Sequence, residues 1–120
     1  RHALAVMEKI ARRHQLEMTL VTGRDATPAA DVSSQGYRRL KKAIRQVFPS
    51  AGILPDLELG GTDSRHLTAI CGSVVRFSPI EATPEQLGAM HGINEHVSIA
   101  ALTRAVEFYR AYLTGFDEKS

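Results

Sequence analysis

The chain has 120 residues, with fifteen Lys and Arg against thirteen Asp and Glu, a formal net charge of +2. That balance carries no concentrated basic field of the kind a dedicated nucleic-acid binder shows, and a hydrophobic content of 43% excludes a disordered chain. No apolar run approaches the ~18–20 residues of a membrane span, and a single cysteine, Cys71, excludes an internal disulfide and a Cys-based zinc finger.

The length allows one domain with its own core. The chain opens at Arg1, with no initiator Met and no signal-peptide pattern, directly into an amphipathic segment. This reads as a cut made inside a larger protein.

Ala3, Met7, Ile10, Ala11 and His14 share one stripe at three- to four-residue spacing, which predicts a helix over 3–14. Leu16, Met18 and Leu20 then alternate with Glu17, Thr19 and Val21, the period of a half-buried strand. The stretch from Gly23 to Gly36 holds Pro28, three Ala, two Ser and two Asp. Its only large apolar residue is Val32, and it reads as a linker.

Ser33 or Ser34 can cap a second helix that Pro49 stops. Tyr37, Leu40, Ala43, Ile44, Val47 and Phe48 mark its buried face. Arg38, Arg39, Lys41, Lys42 and Arg45 cover the other side; a solvated face is the simpler reading than a phosphate-binding surface. Ile53 to Leu59 alternates as a short strand, and Gly60-Gly61-Thr62 is a turn, with Thr62 placed to cap a short helix through Ile70. Val74 to Phe77 reads as a buried strand, and 78–95 as irregular, broken by Pro79 and Pro84. Ser98 caps a last helix whose apolar stripe is Ile99, Leu102, Val106, Tyr109 and Leu113, and the polar tail FDEKS is expected to fray. Helices alternating with short strands predict an α/β fold, helices packed on a short sheet.

Two segments can carry chemistry. In GGTDSRH (60–66) paired glycines let backbone approach a ligand, the following helix start would favour an anion, and Arg65 could hold a carboxylate bidentately. Without Gly-Lys-Ser/Thr it is not a phosphate-binding P-loop, and alone it reads more simply as a turn plus a cap. In MHGINE (90–95) the His91 imidazole is a candidate zinc ligand beside Gly92, and the Glu95 carboxylate could accept backbone N–H groups. A zinc site needs three or four ligands, so His91 cannot build one from this loop. His2, His14, His66 and His96 show no partner pattern, and Cys71 reads as a small core residue.

Taken together, GGTDSRHLTAICGSVVRFSP followed by MHGINEHVSIAALTRAVEFYRAYL resembles the C-terminal end of the di-zinc family of aminoacylase, acetylornithine deacetylase, succinyl-diaminopimelate desuccinylase and carboxypeptidase S. The match is closest to the carboxypeptidase S-like branch. The resemblance implies that 1–22 ends an α+β lid domain that also makes a homodimer contact, that 23–36 is a hinge, and that 37–120 is the C-terminal part of a zinc-peptidase-like α/β catalytic domain. It implies that His91 is the last zinc ligand, that Gly61 and Thr62 line the substrate cleft, that Arg65 meets the substrate carboxylate, and that Asp63 and Glu95 shape their loops. The family's two zinc ions activate a bridging water while a glutamate takes its proton. Its His-x-Asp segment, Glu-Glu pair, further acid and lid His are absent from this sequence.

The expectation is therefore a piece of a zinc-dependent amidohydrolase acting on small peptides or N-acyl amino acids, inactive alone and binding no zinc tightly. No nucleic-acid or membrane partner is expected. One free Cys mildly favours a reducing, cytoplasmic setting. The alternative is a non-catalytic α/β interaction or dimerisation module.

Overall fold

The structure, a computed structural model, describes residues 2–115. The tail FDEKS, expected to fray, lies outside the described residues. Four α-helices run in the order α1 (His2–Arg13), α2 (Gln35–Val47), α3 (Pro84–Gly88) and α4 (Ile99–Thr114), with a 3-10 helix over Asp63–Ala69 between α2 and α3. None is long and apolar enough to cross a membrane.

Both long capped helices begin where their serines stand. Ser34 Oγ accepts from Tyr37 N at 3.2 Å, and Ser98 Oγ accepts from Ala101 N at 3.0 Å. Each satisfies one of the backbone donors that a helix start leaves over. At the far end of α2, Phe48 N donates to Ile44 O at 2.7 Å before Pro49 turns the chain away.

Helices α2 and α4 pack on one another, and among the described residues no other helix pair does so. Tyr37, Leu40, Ala43 and Ile44 of α2 are buried together with Phe48 and Phe108, with Val47, Ile53, Ala111 and Tyr112 packed around them. Phe108 is the centre. Its ring lies 6.4 Å from Phe48, 5.0 Å from Phe77 and 6.0 Å from Tyr112. These separations are those of attractive offset aromatic pairs.

The α/β expectation is overturned: the described residues contain helices and no strand. The segments read as strands, 16–21, 53–59 and 74–77, follow irregular paths with no ladder between them. Alternation places apolar side chains on one face, but it does not supply the backbone partner that a strand requires. The radius of gyration is 19.2 Å, against about 13.5 Å for a compact domain of this length. The described chain therefore has few surfaces on which such segments could pair.

Several local expectations also change. The α1 stripe buries Ala11 alone; Ala3, Met7, Ile10 and His14 are exposed. On α4 the expected stripe of Ile99, Leu102, Val106, Tyr109 and Leu113 is exposed, and Ala101, Ala105 and Phe108 are buried instead. The smaller side lets α4 approach α2 closely. Residues 78–95 are not wholly irregular: Pro84 opens α3 at a position that suits its fixed φ. Thr83 Oγ1 accepts from Gln86 N at 3.2 Å while Gln86 Oε1 accepts from Thr83 N at 2.9 Å, a reciprocal capping box. Cys71, expected in the core, is exposed.

Candidate functional site

The segment 60–66 forms a polar corner of the structure. Gly60 N donates to Glu58 Oε1 at 2.6 Å, so the Glu58 carboxylate is held on the loop's own backbone. A Cβ on Gly60 would stand 2.8 Å from that oxygen, a contact the exposed Glu58 side chain can relieve by moving. Neither Gly60 nor Gly61 uses a positive φ. Thr62 occupies the cap position of the 3-10 helix, but its side chain makes no cap bond, contrary to expectation.

The Thr62 hydroxyl instead bonds to the Ser64 hydroxyl. Both accept from one donor, Arg76 Nε, at 2.9 Å to Thr62 Oγ1 and 2.7 Å to Ser64 Oγ. Arg76 Nη2 also lies 3.5 Å from Thr27 Oγ1, reaching back to the linker. Nearby, Asp31 N donates to Ser73 Oγ at 3.1 Å. The linker is thus tied at two points to the segment 73–76. Arg65 is half-buried, with Nη1 3.5 Å from Thr62 O and about 4.0 Å from where a Cβ of Gly61 would stand. Its Nε is buried with no hydrogen-bond partner among the described residues. Asp63 is exposed in the first turn of the 3-10 helix.

Gly61, Thr62, Arg65 and Arg76 lie along one wide groove of about 1600 Å³, whose apolar lining includes Tyr37, Leu40, Ile44 and Phe48. Small-molecule sites commonly enclose ~300–1,000 Å³. The groove's volume alone therefore does not define a ligand pocket; the polar corner gives it chemistry. His91 and Glu95 do not line it.

His91 sits in a separate loop between α3 and α4. Its backbone is left-handed, with φ 62°, as is that of Asn94 at 66°. The Glu95 carboxylate accepts from His91 N at 3.2 Å, and His96 Nδ1 lies 2.7 Å from Asn94 O. A Cβ on Gly92 would stand 3.2 Å from Ala89 O, so the loop is tight at that point. The His91 residue is exposed. Among the described residues no three His, Cys, Asp or Glu side chains converge as a metal cage. One imidazole does not fit a zinc site, which takes three or four ligands.

Arg76 opens the RFSP segment that helps carry the resemblance, but no site role is read for it. It stands in VVRFSP, a lone cation inside an apolar run. In the structure Arg76 is exposed.

The model of Peptidase family M20/M25/M40 matches residues 6–115, nearly the whole chain and both loops just described. The chain belongs to that family. Its relatives are named as hydrolases or peptidases. The N-fatty-acyl-amino acid synthase/hydrolase of Xenopus tropicalis is 31% identical over 107 residues, covering 88% of this chain and 21% of that protein. The probable carboxypeptidase S-like 2 of Dictyostelium discoideum is 28% identical over 85 residues, covering 71% of this chain and 16% of that protein. The succinyl-diaminopimelate desuccinylase of Nitrosomonas eutropha is 34% identical over 109 residues, covering 89% of this chain and 26% of that protein. The chain thus spans about a sixth to a quarter of the length of these relatives. No solved structure matches it. The family is generally metal-dependent, and the expected resemblance to carboxypeptidase S and desuccinylase holds.

Proposed function

We propose that these 120 residues serve, within a longer protein, as part of an amidohydrolase that cleaves peptides or N-acyl amino acids, and that they are inactive alone. The observation that carries this reading is the corner in which Gly61, Thr62 and Arg65 share one groove, in a chain matched to the family from residue 6 to 115. A half-buried guanidinium lining the groove suits a planar carboxylate, which can take two parallel N–H donors. Gly61 leaves room beside it. The role of Arg65 is to bind and orient the acid end of the substrate, with Thr62 beside it. His91 supplies its imidazole as one ligand, two zinc ions being the family-type complement. The residues present do not form that cage, so no reaction step is assigned to them. Residues 23–36 act as the hinge between the 1–22 lid remnant and the catalytic part 37–120.

The test is an amidase assay with metal analysis on the full-length protein, using N-fatty-acyl amino acids and dipeptides. Turnover by the full-length protein, absence of turnover by the 120 residues, and loss of both metal and activity in His91→Ala are expected. Full activity and metal in His91→Ala would overturn the ligand role. A full-length protein without turnover on either substrate class would overturn the enzyme reading.

A second reading has its own observation. Ile99, Leu102, Val106, Tyr109 and Leu113 of α4 are exposed, as are Met7 and Ile10 of α1. An isolated piece with such faces would self-associate as an interaction or dimerisation module. Light scattering checks it: a concentration-dependent dimer without metal uptake favours this reading for the isolated piece, and a monomer at all concentrations removes it.

A further inference from the structure

We propose that the basic face of α2 is an electrostatic docking surface for an anionic lipid membrane, meeting the headgroups without inserting among the chains. The inference goes beyond the amidohydrolase reading and does not depend on it. It sets aside the expectation of no membrane partner. No described helix can cross a bilayer, but lying on one is a different contact.

The charge distribution carries it. The net +2 of the chain conceals a segregation. Residues 32–55 hold five Lys and Arg and no Asp or Glu, whereas the rest of the chain holds ten Lys and Arg against thirteen Asp and Glu. All five stand on α2. Arg38, Lys41, Lys42 and Arg45 follow the i, i+3, i+4, i+7 spacing that sets side chains in one row along a helix. The other side of α2 is buried, with Tyr37, Leu40, Ala43 and Ile44 in the core, so packing holds the row outward. Arg38, Lys42 and Arg45 are exposed, and Lys41 is half-buried with Nζ 5.8 Å from the centre of the Tyr37 ring. Asp31 stands near Arg38, whose Nη1 donates to Ser33 O, and offsets charge at that end of the row.

The form of the row selects its partner. From Arg38 to Arg45 it runs about 10 Å at a rise of 1.5 Å per residue, so its cations are spread along a line instead of gathered around one free phosphate. Among the described residues no large apolar side chain of α2 is exposed. A protein partner would want an apolar centre, and an inserted helix would want an apolar side to bury. That side of α2 is already covered by α4. Tyr37, the aromatic residue of α2, is buried, so the face presents no ring on which a nucleic-acid base could stack. A layer of anionic headgroups requires none of these features. Clusters of four or more Lys and Arg on a helix suit it, each cation contributing about a fivefold gain in partition.

The experiment is co-sedimentation of the full-length protein with vesicles of phosphatidylcholine, alone or mixed with phosphatidylserine. Wild type should bind the mixed vesicles and not phosphatidylcholine alone, and added salt should release it. Lys41→Gln/Arg45→Gln should lower partition roughly thirtyfold, the loss of two cations. Lys41→Arg/Arg45→Lys, which keeps both charges, should bind as wild type does. Arg12→Gln/Arg13→Gln removes the same charge from α1 and should leave binding unchanged. Circular dichroism melts should be alike for all variants, which excludes loss of fold as the cause. Absence of wild-type binding to the mixed vesicles, or equal losses for the α1 and α2 pairs, would overturn the proposal. So would release by inorganic phosphate beyond that by chloride at equal ionic strength, which would assign the row to a small anion. Tighter binding of a DNA or RNA oligonucleotide than of the mixed vesicles, abolished by Lys41→Gln/Arg45→Gln, would assign it to nucleic acid and overturn the proposal equally.

Discussion

Arg104 of α4 donates from Nη2 to the carbonyl oxygen of Val47 at 2.9 Å, and so fastens α4 to the last turn of α2. The same guanidinium lies 5.1 Å over the Phe48 ring, and its Nη1 is 3.1 Å from Glu81 Oε2. The last carbonyls of a helix have no intrahelical donor and carry partial negative charge, so a cation there satisfies an oxygen and complements the dipole.

Removing that side chain separates the three contributions. Arg104→Ala should weaken the α2–α4 pair by roughly 1–3 kcal/mol, mostly from the Val47 bond and the stacking on Phe48. Glu81→Ala should cost at most about 1 kcal/mol, because both partners of that pair are well exposed, at 42% and 55%. Amide hydrogen exchange of α2 and α4 reads the local opening energy directly. Equal effects of the two substitutions would mean that the ion pair, not the carbonyl bond, carries the contact.

Phe108 is 2% exposed and touches Phe48, Phe77, Tyr109 and Tyr112 through its ring. Phe108→Ala should cost about 3–5 kcal/mol, enough to separate α2 from α4, while Phe108→Leu should cost less because most of the volume remains. Tyr109→Ala on the exposed flank should stay within about 1 kcal/mol. Near-UV circular dichroism and exchange of the α2 amides check the order. Comparable losses for Phe108→Ala and Tyr109→Ala would contradict it.

Helix existence was legible where caps and periodicity agreed. Ser34 and Ser98 mark their helices, and the α2 face from Tyr37 to Phe48 is buried. Helix α4 shows why a face is harder to read. Its apolar residues form two stripes about 100° apart on a 3.6-residue helix. One runs through Ala101, Ala105 and Phe108, the other through Leu102, Val106 and Tyr109. Periodicity weights the bulkier stripe, whereas a single neighbour takes the side that permits closer approach. The strands failed for a related reason: Leu57 and Leu59 alternate correctly, but pairing is a property of a neighbour and not of the segment. At the site, the glycine loop and the His91 loop stood out in sequence, while the bonds of Arg76 did not, because its partners are 12, 14 and 49 residues away.

The linker carries a pH-dependent turn. Asp31 Oδ1 accepts from Ser33 Oγ at 2.6 Å and from Ser33 N at 2.8 Å, and Arg38 stands nearby. These bonds to Ser33, its side chain first, hold the Asp31 carboxyl below the usual aspartate value of 3.8. A depressed folded value means that the turn's contribution is present above the ordinary value and is lost as pH falls through the folded one. An NMR titration should therefore place the Asp31 midpoint below 3.8, and Ser33→Ala should raise it. A wild-type midpoint at or above the ordinary value would show that the turn does not hold the charged form.

The left-handed backbone of His91 gives a substitution that separates fold from chemistry. An L-residue at φ 62° carries roughly 1–2 kcal/mol of steric cost that glycine avoids. Glycine surrenders part of that gain as chain entropy, about 0.5–1 kcal/mol. In metal-stripped full-length protein, His91→Gly should thus be as stable as wild type or about 1 kcal/mol more so, and His91→Ala should show no gain. Both should lose metal and turnover, since neither has the imidazole. Stripping the metal first matters, because a bound ion stabilises the wild type by mass action and would mask the backbone effect. Melting curves and metal content, measured on the same preparations, decide the matter. A His91→Gly protein that melts well below wild type without metal would mean that the imidazole packs as a structural side chain, and one that keeps its metal would remove residue 91 from the ligand set.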